Sequence, residues 1–498
     1  MHGIVLGVFE GDDHEFFCGE LSPLDDRSQT RCAAIDGGRA MNFARGLVAR
    51  EAAGKPVRVA LVGAGKFGTM ILAQLRLMRG VRLCAIADLD VERARGAAVR
   101  AGWDGAQFAV ARDANAANDL ASTGRIALVE SGEIAAHCAI DILIEATGHE
   151  EAGALHALRA IEAGVHVVMV TVEADVVVGP LLARKAAQRG VVYSMAYGDQ
   201  PAIACELVDW AQTNGFRVVA AGKGTKFRPE YRRGTPDTSF ASYGFTPEQI
   251  ATGGFNPKMF NSFLDGTKSA IEMVAIANAC GLKVPPGGLS FAPVAAHDLS
   301  KTLVPKSAGG ILPGEGYVDV VTCVDAAGEM LADNLRWGIY VVITSDEPYS
   351  RRCFGEYGLA TDPSGTYAAM WRPYHLIGLE VGTTIASIAL HGEPTGVPRE
   401  PYAEVVCATR KAMRAGEMID GEGGYAAYGT IASVADARAA KLVPMGLAHG
   451  LRLLRDVPAD HPIGEADVTF DRTSLLWNLR REQDALFTSG AVAEPTPA

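Results

Sequence analysis

Three glycines, Gly63-x-Gly65-x-x-Gly68, are the first residues whose spacing dictates a chemistry. They follow at once on a short apolar run, Val57, Val59, Leu61 and Val62, with the bias of a buried parallel strand. Thr69–Met78 reads as a helix with an apolar stripe, and a second strand, VRLCAIAD, ends in Asp88, twenty residues beyond Gly68. A dinucleotide needs that order. Gly63 allows the tight turn, Gly65 lets the backbone approach a pyrophosphate, and Gly68 lets the helix pack closely with its N-terminus facing the negative charge. Asp88 stands where a carboxylate holds the adenosine ribose diol, which favours NAD over NADP; Arg93 and Arg95 are near enough in sequence to offset that preference.

Further along, Thr147-Gly148, Glu173 and Asp199 fall at the ends of apolar runs, where an open parallel sheet binds its ligands. Lys223 follows Gly222 at another strand end, and a lysine there suits an electrophile or proton shuttle. Lys226, Arg228, Arg232 and Arg233 cluster among Tyr231, Phe240 and Tyr243 on a long irregular stretch, a candidate anion pocket or lid. Arg372, Tyr374 and His375 stand before an apolar helix, where backbone N–H groups favour anions. A phosphate or carboxylate on a substrate would be clamped by Arg372, with Lys226 and Arg228 closing over it.

The elements that must position these residues alternate between strand and helix. After Asp88 come a helix over 91–101, a helix near 119–123, a short excursion at IALVES, a strand at AIDILIEA, a helix over 152–163, a strand at HVVMVTVEA, a helix over 179–189 and a strand at VVYSMAYGDQP. That spacing means a doubly wound parallel sheet of α/β class, here a Rossmann domain over residues 41–201. A helix over 202–214 and the strand FRVVAAGKG open a different pattern, a central α+β domain over 202–398. Residues 399–490 form a separate unit, 491–498 a disordered tail, and the acidic, glycine-rich residues 1–40 an appendage before Met41, itself a natural start.

The net charge of −12 excludes nucleic acid or an anionic membrane as the main partner. No apolar run approaches the roughly 20 residues of a membrane span, and the N-terminus has no secretory signal. Nine scattered cysteines without a CxxC suit a reducing cytoplasm.

RVALVGAGKFGT, IEATG, VMVTVEADVVVGP, YGDQP, AGKG, DGTKSAIEMVAIANA, LVPK, RPYHL and AEVVCA, in that order, resemble the deoxyxylulose-phosphate reductoisomerase-like enzymes, within a broader group similar to homoserine dehydrogenase. The closing unit resembles a SAF-type domain. The resemblance implies a Rossmann domain, a central domain carrying catalysis and homodimerisation, and NAD(P)H as hydride donor. It implies that Gly63, Gly65, Lys66, Phe67 and Gly68 form the pyrophosphate turn and that Ala146, Thr147 and Gly148 lie beside the nicotinamide ribose. Glu173, Asp199, Lys223, Asp265, Lys306, Arg372 and His375 fall in segments that would border the substrate. Homoserine dehydrogenases typically carry Asn-Lys after the strand occupied here by VMVTVEA, and this chain has Val172-Glu173.

These observations lead to an NAD(P)-dependent oxidoreductase acting on a small, polar, phosphorylated hydroxy-carbonyl compound, with Lys223 and then Lys306 as the candidate proton shuttle. A reductoisomerase reaction is the sharper version, and it would need a divalent ion, for which Asp199, Glu206 and Asp265 are candidate ligands. A homoserine-type dehydrogenase and a non-catalytic cofactor-sensing or carbohydrate-binding protein are the rival readings.

Overall fold

A computed structural model describes residues 42–253 and 255–488; the expected appendage at 1–40 and tail at 491–498 lie outside them. The apolar run before the glycines is β1 (Val57–Val62), followed by β2 (Val81–Ala87), β3 (Phe108–Val110), β4 (Ile126–Val129), β5 (Ile142–Glu145), β6 (His166–Met169) and β7 (Tyr193–Met195). All pair in parallel, in the order β3–β4–β2–β1–β5–β6–β7. Strand order reverses at β1, where Val62 is flanked by Ala87 and Glu145, so the ligand crevice opens beyond the carboxyl ends of β1 and β5.

Two expectations are corrected here. IALVES is not an excursion: its first four residues are β4, fully buried between β3 and β2. HVVMVTVEA is a strand only to Met169, because Val172 already opens a helix. The β-branched Val-Thr-Val favours a strand locally, but the chain must leave the sheet here, and Glu173 and Asp175 in the first turn suit a helix N-terminus. Helix α1 spans Lys66–Leu75, α2 Glu150–Glu162, α3 Val172–Arg189 and α4 Gln200–Thr213.

Pro180 sits inside α3, where it interrupts the hydrogen-bond ladder. The gap is repaired from far away in sequence. Gln483, on a terminal helix over Leu475–Thr488, accepts from the Leu181 N–H at 3.1 Å and donates to the Val177 carbonyl at 3.0 Å.

A second sheet contains β8 (Arg217–Thr225), β9 (Ala292–Pro293), β10 (Tyr317–Thr322), β11 (Ile339–Thr344), β12 (Ala360–Thr361) and β13 (Tyr367–Arg372), in the order β12–β13–β11–β8–β10–β9. Helix α5 (Thr267–Cys280) packs between this sheet, α3, α4 and the C-terminal unit, whose β14 (Ala403–Thr409) and β15 (Ala427–Ser433) pair antiparallel. Its position explains why it is buried on nearly every side.

Arg372 and His375 do not stand at a helix N-terminus, as expected. Pro373 holds Arg372 extended at the end of β13, and the helix begins only at Val381, after Glu380. That helix, α6 (Val381–His391), returns to cover the first sheet, with Val381 and Ile385 packed among Leu61, Ile71 and Ile144. Among the described residues no helix is long and apolar enough to cross a membrane.

Asp265 fastens the entry of α5 to the C-terminal unit. Its carboxylate accepts from Arg410 at 2.5 Å and from the Thr267 N–H at 2.8 Å, and the two side chains are 0% and 2% exposed. Truncating one partner of such a pair leaves the other charge buried and uncompensated. Arg410→Met should cost about 3–5 kcal/mol of stability, read as a lower denaturant midpoint; a wild-type midpoint would show that the pair does not hold the two units.

Candidate active site

The glycine turn has the shape a pyrophosphate requires. Gly63 takes φ +91°, and a Cβ there would come within 2.6 Å of the Ala146 carbonyl oxygen. At Gly68 a Cβ would run into the Gly63 carbonyl, whereas nothing lies within 4 Å of one built at Gly65. Gly65 caps α1, so the first N–H groups of Lys66, Phe67 and Gly68 face that open space. The cradle fits a dinucleotide.

Across the crevice, Glu145 ends β5 with its side chain 0% exposed. It accepts from the Thr147 N–H at 3.2 Å and from the Thr147 hydroxyl at 2.5 Å, while Gly148 N–H donates to Thr171 Oγ1 at 2.9 Å. These bonds fix the backbone of Ala146-Thr147-Gly148 just beyond the end of β5.

Asp88 is buried and already engaged. It accepts from the Ala64 N–H at 2.9 Å and the Asp90 N–H at 3.0 Å, and pairs with Arg93 at 2.6 Å. The Arg93 side chain is 59% exposed, so its guanidinium is anchored at one end and open to solvent at the other. Arg95 instead pairs with Glu92 and donates to the Gly105 and Phe108 carbonyls.

Beyond β5, β6 and β7 lies a dense group of charges centred on Lys268. Its ammonium pairs with Glu173 from the first turn of α3. Glu272, one turn along α5, pairs with Lys223 of β8. Asp199 caps α4, its Oδ1 accepting from the Gln200 N–H at 2.8 Å, and its buried Oδ2 has no hydrogen-bond partner. Glu150 at the start of α2 and Glu422 from the C-terminal unit complete the group, the latter accepting from Ser262.

Five carboxyl groups thus meet two ammonium groups. Burial, reinforced by Glu272, pushes Asp199 up to about 6. Burial pushes Glu150 up to about 7, and burial with Glu173 pushes Glu422 up to about 8. At Lys268 burial opposes the charge, but Glu173, Glu272, Asp199 and Glu422 outweigh it and hold the proton well above the ordinary lysine range.

A second, cationic group borders the first. Lys226 donates to the Ser242 carbonyl at 2.7 Å, and burial together with Arg336 and Arg228 lowers its pKa. Arg336 lies over Tyr243 and Trp337, 4.9 and 4.8 Å from the ring centres. The Trp337 carbonyl accepts from His375 Nδ1 at 2.8 Å, which ties His375 to this rim. Arg228 pairs with Glu230 at 2.6 Å and Arg372 with Glu380 at 2.5 Å.

Of the residues expected at the site, Glu173, Asp199 and Lys223 come together around Lys268, with His375 alongside. Asp265 is committed to Arg410, and Lys306 lies on an exposed turn over Lys306–Ala308. Glu206 is bound by Tyr197, so it does not join Asp199 and Asp265 as a metal ligand. Among the described residues no three His, Cys, Asp or Glu side chains are placed to hold a metal. Sequence reasoning missed Lys268, Glu272, Arg336 and Glu422. The available signal was Lys268 and Glu272, the two charged residues of the helix, four positions apart.

Residues 63–195 match the homoserine dehydrogenase NAD-binding domain, and residues 198–381 match the catalytic domain of oxidoreductase DRL. The chain is an NAD(P)-dependent oxidoreductase. No curated protein matches. Among solved structures, a DOX-P reductoisomerase with NADPH, fosmidomycin and magnesium is 16% identical over 46% of this chain and 59% of its own, with a TM-score of 0.31. A probable dehydrogenase from Thermotoga maritima is 13% identical over 68% of this chain and 90% of its own, with a TM-score of 0.33. A myo-inositol dehydrogenase from Lactobacillus casei with NAD(H) and myo-inositol is 12% identical over 37% and 50%, with a TM-score of 0.25.

The raised carboxyls make stability fall with pH. Each binds its proton more tightly folded than unfolded, so its contribution is complete below the ordinary carboxylate range and is lost as pH rises through about 6, 7 and 8. The denaturant midpoint should drop from about pH 4, the ordinary carboxylate range, to about pH 8, and Glu150→Gln should flatten the drop. A midpoint that holds or climbs across this window would mean that these groups are ionised in the fold.

Proposed function

We propose that this chain moves a hydride between NADP(H) and the carbonyl of a small polar compound bearing an anionic group, with Lys268 serving the carbonyl oxygen as proton donor. The carrying observation is the ammonium of Lys268, set among carboxylates just beyond the strand ends where the dinucleotide cradle opens. When bound, the dihydronicotinamide supplies the hydride. The chain's own groups do the rest.

Lys268 holds the proton that the reduced oxygen must take, and Glu173 fixes its ammonium in place. The unpaired Oδ2 of Asp199 suits a substrate hydroxyl, which would satisfy a buried acceptor that otherwise costs about 1–3 kcal/mol. Lys223, committed to Glu272, positions the carboxylate behind Lys268 and does not touch the reacting atoms. Lys226, Arg228 and Arg336 suit a phosphate or carboxylate arm, and their mutual repulsion is what such an anion would relieve.

The preference for NADP(H) rests on Arg93. Asp88 spends its carboxylate on Ala64, Asp90 and Arg93, so a ribose 2′-phosphate would meet an exposed guanidinium ahead of a free carboxylate. Arg93→Ala should weaken NADPH binding roughly 10- to 100-fold, measured by quenching of protein fluorescence, and leave NADH binding nearly unchanged. Tighter binding of NADH than NADPH by the wild type would return the ribose to Asp88.

Turnover is to be sought with a panel of phosphorylated hydroxy-aldehydes and hydroxy-ketones, following NADPH consumption. Lys268→Met should lower turnover by about 10²-fold or more while NADPH still quenches fluorescence normally. Undiminished turnover would remove Lys268 from the chemistry. Absence of turnover in the wild type across that panel, with binding intact, would favour a cofactor-sensing protein.

A further inference from the structure

Glu422 reaches the site on a loop built for that purpose. Asp420 accepts from the Tyr425 and Ala426 N–H groups at 2.5 and 2.9 Å and closes the loop on itself. Gly423 has φ +63°, and a Cβ there would run into the Lys258 carbonyl on the helix Pro257–Asp265. From that helix Asn261 Nδ2 donates to the Gly423 and Gly424 carbonyls at 3.0 and 3.3 Å. The loop is therefore pinned at several points, and Glu422 is the one carboxylate it sends towards Lys268.

Charge balance makes its protonation state matter. Glu422 faces Glu173 on α3, Lys268 on α5 and Glu150 on α2, and it shares a small cavity with Glu150, Glu173 and Glu404. Glu404 is neutralised by Arg480. Lys268 is further surrounded by Glu272, itself paired with Lys223, and by Asp199 with its unpartnered oxygen. A further negative charge at Glu422 would bind the Lys268 proton more tightly and make it harder to give up.

We propose that the C-terminal unit supplies Glu422 to the active site as a positioning residue whose charge state sets how readily Lys268 releases its proton. While it holds its proton, Glu422 is hydrogen-bonded with Ser262 and leaves Lys268 the weaker hold of Glu173, Glu272 and Asp199. When Glu422 ionises, the Lys268 ammonium becomes locked. This inference rests on the reading of the Lys268 group as the active site.

The test uses the full chain without substrate. Infrared spectra should show a protonated-carboxyl band whose last component titrates near pH 8, and that component should be absent in Glu422→Gln while the Glu150 component near pH 7 remains. Carbon NMR of the lysine side chains, with the Lys268 signal assigned by Lys268→Met, should show that signal shifting with Glu422 titration in the wild type and not in Glu422→Gln. If Glu422→Gln does not fold, Ser262→Ala serves: removing a donor that favours the ionised carboxylate should move both transitions to higher pH. A band unaltered in Glu422→Gln, a Lys268 signal titrating alike in both proteins, or a transition unmoved in Ser262→Ala would each overturn the proposal. None of these spectra depends on turnover, so their failure is separable from a failure of Lys268→Met to abolish activity.

Discussion

An ammonium taken out of water is retained only where anions face it, and the anions are retained only where something neutralises them in turn. Lys268 imposes that double condition on its surroundings. Glu173 answers it from α3, Asp199 from the start of α4 and Glu272 from α5 itself. Each added carboxylate then needs its own partner: Lys223 for Glu272, and protons for Glu150 and Glu422, which burial pushes up to about 7 and about 8. The result is a site whose total charge is set partly by pairing and partly by proton uptake. Such a site is stable at neutral pH only while several carboxyls remain neutral.

That requirement explains why three parts of the chain meet here. The Rossmann sheet delivers Glu173 and Asp199 because its crossovers begin at the strands' carboxyl ends. The second sheet delivers Lys223 from β8, a central strand whose 223 position is paired on both sides, by Val320 and Ile339. The C-terminal unit delivers Glu422 and clamps α5 through Arg410 and Asp265. Separating these parts would leave charges buried without partners.

The dinucleotide cradle was legible in the residues because every group it needs lies within one turn and its two flanking strands. Asp88 was legible in place but not in partnership. Its carboxylate is drawn to the Ala64 N–H and to Arg93, contacts that spacing alone does not reveal. Lys268 and Glu272 were illegible for a different reason. A spacing of four shows that the two share one helix face, and only the packing of α3, α4, β8 and the C-terminal segment around α5 gives each its buried partners. Glu173 was seen but put on a strand, since Val-Thr-Val carries strand preference and the demand for a crossover helix is not local. Glu422 lies among glycines, where a sequence shows a loop and not what the loop touches.

The long-range repair of α3 belongs to the same logic. Glu173 is useful only if the first turn of α3 holds its place against Lys268, yet Pro180 breaks the ladder two turns further on. A kink there would tilt the N-terminal part of the helix relative to the sheet. Gln483 places its amide in the gap, donating to Val177 and accepting from Leu181, so both halves remain hydrogen-bonded through it. Lys185 and Glu482 pair alongside at 2.6 Å, and Arg480 of the same terminal helix neutralises Glu404 behind the cavity shared with Glu422. The last helix therefore supports the site from two directions, through the backbone that carries Glu173 and through the charge that faces Glu422.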